Sequence, residues 1–260
     1  MGSMKVTGLV VRTVDLSESD KLLSVYTQEC GMMTIMAKGS RTLKSRYMAV
    51  AQPFCYASFL LSVRGDYYWL REAELIESFF DLRNDLVVTA LASYFCDVIC
   101  DVGVNTPEPS LLSLILNSLY ALTQKNFDPR LVKAAFEFRA AALLGFYPDV
   151  AACADCGDTV SDCVLDVMNG CVLCGACREK RMDAMVPDEV TEATRSVICP
   201  LTQSARLAIE YVLTCPPKRI FAFRLNDEND LRLFCRAAEE YLLNHLERGF
   251  KTLDFYNSLI

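Results

Sequence analysis

The spacing of apolar residues changes period once along the chain, near Leu82, and this change restricts the fold more than any other feature. Upstream, the runs KVTGLVVRTV, KLLSVYTQ, MMTIMAKG, PFCYASFLLSV and YYWLREAELI are rich in Val, Thr, Tyr, Phe and Ile, and turn-prone pieces such as DLSESD, ECG and RGD separate them. Five such strands in about 80 residues suffice to close a small barrel. The stretch SRTLKSRYMAVA, between the third and fourth strands, reads as a loop or short helix at the point where a five-stranded Greek-key barrel is commonly closed at one end. Downstream, apolar residues recur at three- and four-residue spacing over 85–102, 110–124, 129–146, 203–213 and 229–248, with Asp128 and Pro129 as N-cap and first-turn proline of the third segment. The expected class is α+β: a barrel of the oligonucleotide-binding type over 1–82, then a helical domain over 83–260 that carries a small cysteine-bearing insertion at 150–182.

That insertion reads CADCGDTVSDCVLDVMNGCVLCGAC from Cys153 to Cys177. Thirteen cysteines, an odd number spread through apolar segments as well as this cluster, suit a reducing compartment better than a disulfide scaffold. Two Cys-x-x-Cys pairs can converge on one tetrahedral ion, and a closed shell of four thiolates holds a fold together without catalysing. Cys153 and Cys156 form the first pair, with Gly157 suited to a turn of positive φ. Spacing leaves the second pair open between Cys171 with Cys174 and Cys174 with Cys177. The charged run REKRMDA favours the latter, because a helix starting there would turn its N-terminus toward the thiolates. An iron–sulfur cluster is the rival, but the ferredoxin pattern wants a further cysteine followed by proline where Arg181 and Met182 stand.

A net charge of −7 excludes a globally basic nucleic-acid coat, yet no Asp or Glu occurs between Glu29 and Asp66 while Lys38, Arg41, Lys44, Arg46 and Arg64 do. One face of the barrel is therefore expected to be basic. No apolar run is long enough for a membrane span and the start lacks the pattern of a signal peptide, which suggests a cytoplasmic protein without membrane partners. The lone histidine, His245, reads as a packing or surface residue. AKGSRTLKS fails the phosphate-loop pattern, and no nucleophile elbow or dinucleotide fingerprint occurs. Binding, not enzymatic catalysis, is the leading class.

Taken in order, TGLVVRTVDLSESDKLLSVYTQECGMMTIMAKGSR, SRYMAVAQPF, LREAELIESFFDLRNDL, FEFRAAALLGFYPDV running into CADCG, NGCVLC and YLLNHLERGFKTLDF resemble the bacterial RecO family of DNA repair and recombination mediators over nearly the whole chain. The resemblance implies an N-terminal oligonucleotide-binding barrel, a helical domain and one structural zinc. It favours Cys153, Cys156, Cys174 and Cys177 as ligands, although Cys171 stands where the family usually has a second glycine and Cys163 is additional. It further implies binding of single- and double-stranded DNA, annealing of complementary strands, contact with the acidic C-terminal tail of single-stranded-DNA-binding protein, and joint action with RecR in loading RecA, at the bacterial nucleoid. On the barrel, Arg12, Lys21, Lys38, Arg41, Lys44 and Arg46 are phosphate candidates and Tyr47 a stacking candidate, whereas Tyr56, Phe59 and Trp69 read as core. Lys125, Arg130, Lys133 and Arg139, around the third helix, are candidates for the acidic tail. The competing reading is a zinc-stabilised protein adaptor without DNA affinity, which predicts no basic face on the barrel.

Overall fold

The computed structural model describes residues 2–103, 108–158, 162–184 and 197–260. Strands β1 (Gly2–Asp15), β2 (Lys21–Thr27), β3 (Gly31–Ala37), β4 (Tyr56–Arg64) and β5 (Tyr67–Glu77) close a barrel in the order β1-β2-β3-β5-β4. Only β3 and β5 run parallel; the other neighbours are antiparallel. Period-two alternation sends Val6, Val10, Leu23, Val25, Ile35, Phe59 and Leu61 inward, where water does not reach them. β1 is long enough to pair with β4 through its first half and β2 through its second, and Gly8 lies where the two ladders overlap. A Cβ on Gly8 would stand 2.6 Å from the Tyr26 carbonyl oxygen, so the close approach requires glycine.

Residues 38–55 form a run of turns, with no helix, and still close one end of the barrel: Val50, Ala51 and Cys55 enter its core. Backbone bonds from Phe54 to the Val10 carbonyl (2.8 Å) and from Val10 to the Cys55 carbonyl (2.9 Å) fasten the segment to β1.

By internal contacts the chain forms two units, Met1–Lys125 with Phe250–Ile260, and Asn126–Gly249. The change of period at Leu82 thus falls inside the first unit, where α1 (Leu86–Val102), α2 (Pro109–Thr123) and α7 (Lys251–Asn257) join the barrel. Asp85 caps α1 by accepting from the Val87 and Val88 amides. Asp97, on α1, accepts from Arg12 of β1 at 2.8 Å and from the Thr252 hydroxyl of α7 at 2.9 Å.

The second unit packs α3 (Pro129–Leu143), α5 (Gln203–Thr214) and α6 (Glu228–Leu246) with a four-stranded sheet of order β6-β8-β7-β9: β6 (Asp149–Cys153), β7 (Cys163–Asp166), β8 (Cys171–Cys174) and β9 (Ile198–Leu201). The cysteine module therefore takes in a strand beyond residue 182. On α3, Phe138 packs against Phe234 and Tyr241 of α6, with centroids 5.6 and 5.8 Å apart. Every residue of α3 from Leu131 to Phe138 is buried. Lys133 goes inside with them, bound to Glu137 (2.9 Å) and Glu239 (2.7 Å). Burial opposes its charge, but the two carboxylates outweigh that and hold the ammonium above the usual lysine range. Expected as a surface cation for a partner, Lys133 is instead an internal ion-pair residue, because a helix buried on all sides must neutralise its charges within the fold. No helix among the described residues is long and apolar enough to cross a membrane.

Candidate metal centre and nucleic-acid interface

The sequence of the module places its thiols through two tight features. The first is a turn after β6, in which Gly157, at φ +75°, donates its amide to the Cys153 carbonyl at 2.9 Å. The second is the junction of β8 with helix α4 (Gly175–Ala184), which sets Cys174 at the strand end and Cys177 in the first helical turn. Successive residues of a strand face opposite sides, so Cys171 and Cys174, three apart, cannot serve one ion from the same strand. The groups that converge are Cys153, Cys156, Cys174 and Cys177, their sulfur atoms all within 4.8 Å of one another, and Cys156 Sγ lies 3.9 Å from Cys174 Sγ. Four thiolates at about 2.3 Å from a tetrahedral zinc stand about 3.8 Å apart. The donor set and its spacing therefore fit such an ion.

Electrostatics at the cluster favour thiolate at one end. Burial raises the Cys153 thiol, but the backbone amides of Cys174, Cys156 and Asp155 outweigh it and bring the group down to about 6. Cys177 is pushed up to about 12, first by its hydrogen bond with Cys174 and then by burial. Arg181 of α4 grips Asp155 with two hydrogen bonds, one of 2.8 Å from Nε, so the helix and the first turn are held together by an ion pair as well as by the sulfur atoms. Arg206 of α5, almost fully buried, donates to the Val150 carbonyl at 2.7 Å and anchors β6 to the helices; sequence reading missed it because an arginine on an amphipathic segment gives no sign of burial.

On the barrel, the cations sort into two groups. Arg12 is paired with Asp97, which raises its pKa further, and Lys21 donates to the Ala51 carbonyl at 3.1 Å, holding the 38–55 segment to β2. Both are engaged within the unit, although the Arg12 side chain stays about half exposed. Arg41 turns to the β1–β2 loop, paired with Asp15 at 3.2 Å. Lys44 is exposed. Lys38 and Arg46 reach the same end of β5: the Lys38 ammonium lies 4.6 Å over the Trp69 ring, and the Arg46 guanidinium donates to the Arg71 carbonyl at 2.6 Å and lies 4.8 Å over the Tyr47 ring. Tyr47 also donates to the Arg71 carbonyl and packs against the barrel core, which leaves Arg46 covering one side of its ring.

A cleft of about 370 Å³ opens beside Trp69, and Lys38, Arg64 and Arg71 give it three cations. Phe59 lies in the core as expected. Trp69 does not: the phase of β5 sends Leu70 inward and leaves Trp69 half-buried on the outer face. Its unbroken apolar neighbours YYWL concealed that phase, and Arg71 stood outside the acid-free interval that drew attention to the loop.

The tail-binding candidates of the helical part are largely engaged. Arg130 pairs with Asp128 (2.9 Å) and Glu228 (2.5 Å), and Arg139 donates to the Leu213 (3.0 Å) and Cys215 (2.5 Å) carbonyls. Lys125, at the end of the first unit, is exposed. His245 packs against Phe146 and Tyr241, with centroids 4.7 and 4.3 Å away.

A five-stranded barrel followed by helices and a four-cysteine cluster is the order of parts that the resemblance implied. The family description "Recombination protein O N terminal" matches residues 1–79, and "Recombination protein O C terminal" matches 83–254. The chain belongs to the RecO family. It is 30% identical to the DNA repair protein RecO of Acetivibrio thermocellus over 261 residues, covering 100% of this chain and 98% of that relative. The RecO of Caldicellulosiruptor saccharolyticus is 31% identical over 74% of this chain and 79% of its own length, and that of Listeria monocytogenes 31% over 74% and 75%. As a RecO-family chain, it is a DNA repair and recombination protein.

Proposed function

We propose that this RecO-family protein is a recombination mediator that binds single- and double-stranded DNA, anneals complementary strands and, with RecR, helps to load RecA onto DNA covered by single-stranded-DNA-binding protein in the bacterial cytoplasm, at the nucleoid. The observation that carries the reading is the gathering of Lys38, Arg46, Arg64 and Arg71 with Trp69 and Tyr47 at one end of β5. Cations that follow a phosphate backbone, interleaved with aromatic faces, bind strands without reading their sequence. Annealing then needs no chemical step: neutralising two strands lowers their repulsion and base pairing drives the rest. Arg41 and Lys44, on the same turn segment, extend the basic surface. Cys153, Cys156, Cys174 and Cys177 hold one structural zinc. Of the cations considered for the acidic tail of single-stranded-DNA-binding protein, Lys125 and Arg130 retain exposure at their charged ends.

The test is fluorescence-anisotropy binding of a labelled single-stranded oligonucleotide over a salt series, comparing wild type with a variant in which Lys38, Arg41, Lys44 and Arg46 are alanine. Wild-type affinity should fall steeply with salt, and the variant should lose affinity and up to about 0.7 of the log–log slope for each phosphate contact removed. An absence of wild-type binding at low salt would leave a zinc-stabilised adaptor in its place.

A further inference from the structure

Trp69 is the sole tryptophan of the chain; it is half-buried on the barrel surface and lines the cleft beside it. In the ladder it stands opposite Ser62 on β4 and beside Met36 on β3. The small Ser62 side chain forms part of the floor, and the 370 Å³ space beside the ring falls in the range at which small-ligand sites begin, about 300 Å³. Over the ring lies the Lys38 ammonium, on an exposed residue. Arg64 and Arg71 line the same cleft, whereas Glu72 and Glu74, next along β5, line a separate hollow with Lys5. Along one strand the charge thus changes sign between Arg71 and Glu72, and a polyanion is admitted at one end and repelled at the other.

We infer that this cleft is a subsite for one unpaired nucleotide, in which the base stacks on Trp69 in place of Lys38, while Lys38, Arg64 and Arg71 hold the flanking phosphates. The inference rests on the DNA-binding reading above and adds a strand preference to it. A stacked base covers far more of an indole face than one ammonium does, and the displaced ammonium gains a phosphate, so the exchange favours the nucleotide. A duplex cannot make it without unpairing and unstacking a base. Duplex DNA therefore uses the outer cations alone, and single strands use those cations and Trp69.

The full-length protein carries its own probe. Intrinsic tryptophan fluorescence should be quenched on titration with a thymidine oligonucleotide and stay unchanged with a blunt duplex of equal length that binds by anisotropy. Trp69→Leu should weaken single-strand affinity about 5- to 150-fold and leave duplex affinity as it was, and Trp69→Phe, which keeps a ring, should recover most of the loss. Single-strand binding without quenching, equal quenching by duplex, or a Trp69→Leu variant that binds single strands like wild type would each overturn the subsite while the DNA reading stood, provided the four-alanine variant still lost affinity. Binding of neither DNA by wild type would overturn both.

Discussion

In the barrel every strand has two hydrogen-bonded neighbours and an inward row of side chains that water does not reach, whereas in the cysteine module β7, β8 and β9 are four residues long and β6 meets β8 at only two paired positions, Asp149 with Cys171 and Cys153 with Val172. The first arrangement removes its edges by closure and holds itself by buried area. The second has two edges, and although Leu165, Val172 and Leu173 are buried, its strands are short, so four sulfur atoms, the Arg181–Asp155 pair and the Arg206 anchor supplement the buried area. The difference teaches that the two regions should fail separately, one through its packing and one through its cross-link.

The largest effect should come from the cross-link. Because binding of a structural zinc is folding free energy, of order 10 kcal/mol in small zinc domains, Cys174→Ser or a strong chelator should release the zinc proposed there and expose the amides of β6, β7 and β8 to hydrogen exchange. Protection in β1 to β5 should persist; its parallel loss would break the comparison.

The converse change is Phe59→Ala. It empties a fully buried site of the barrel and should cost about 3–5 kcal/mol. Denaturant melts should record that loss while zinc content, read with a colorimetric chelator, stays at one ion per chain.

Acidity sharpens the contrast further. Zinc must displace protons from the thiols it binds, so affinity falls as pH falls. Cys153 is depressed to about 6, below the ordinary thiol value of about 8.5. Its ionisation therefore contributes fully above about 8.5 and is lost as pH falls through 6. Below that point one more proton competes, and the affinity measured by chelator competition should steepen by about tenfold per pH unit, near 1.4 kcal/mol. A slope that is constant from pH 8 to 5 would contradict the thiolate assigned to Cys153.

The smallest expected effect lies outside both regions. Asp85→Ala removes the cap of α1 and should cost about 1 kcal/mol in thermal or denaturant melts, with zinc content unchanged.

Much of this organisation is legible in the residues, because it depends on local pattern. Alternation predicts the five strands and the burial of Phe59, and Asp128 with Pro129 predicts the start of α3. What escapes sequence is set by residues far along the chain. Lys133 looks like a surface cation because its partner Glu239 is 106 residues away, and Arg12 looks free because Asp97 is 85 away. Trp69 escapes for another reason. In YYWL either phase puts apolar residues inside, and a register shift between Leu60 and Leu61 on the paired strand alters which side chains face each other. The choice between Cys171 and Cys177 was open by spacing and is decided in the structure by strand alternation, a property of β8 that its four residues alone do not announce.

The return of the chain to its first unit sets an order of manufacture. Leu253 and Tyr256 of α7 are buried, Phe250 packs 5.6 Å from Tyr94, and Thr252 binds Asp97, so the hydrophobic seat beside the barrel is complete only when this helix arrives. On a ribosome, residues 126–249 emerge before it does. The barrel unit begins first and is sealed last, and for the interval between, the apolar surface of α1 that awaits α7 stands uncovered. A nascent chain stalled before Phe250 should therefore carry an unfinished first unit however well the second has folded, and chaperone crosslinking to α1 in such stalled chains, lost once α7 clears the exit tunnel, is the signature to seek.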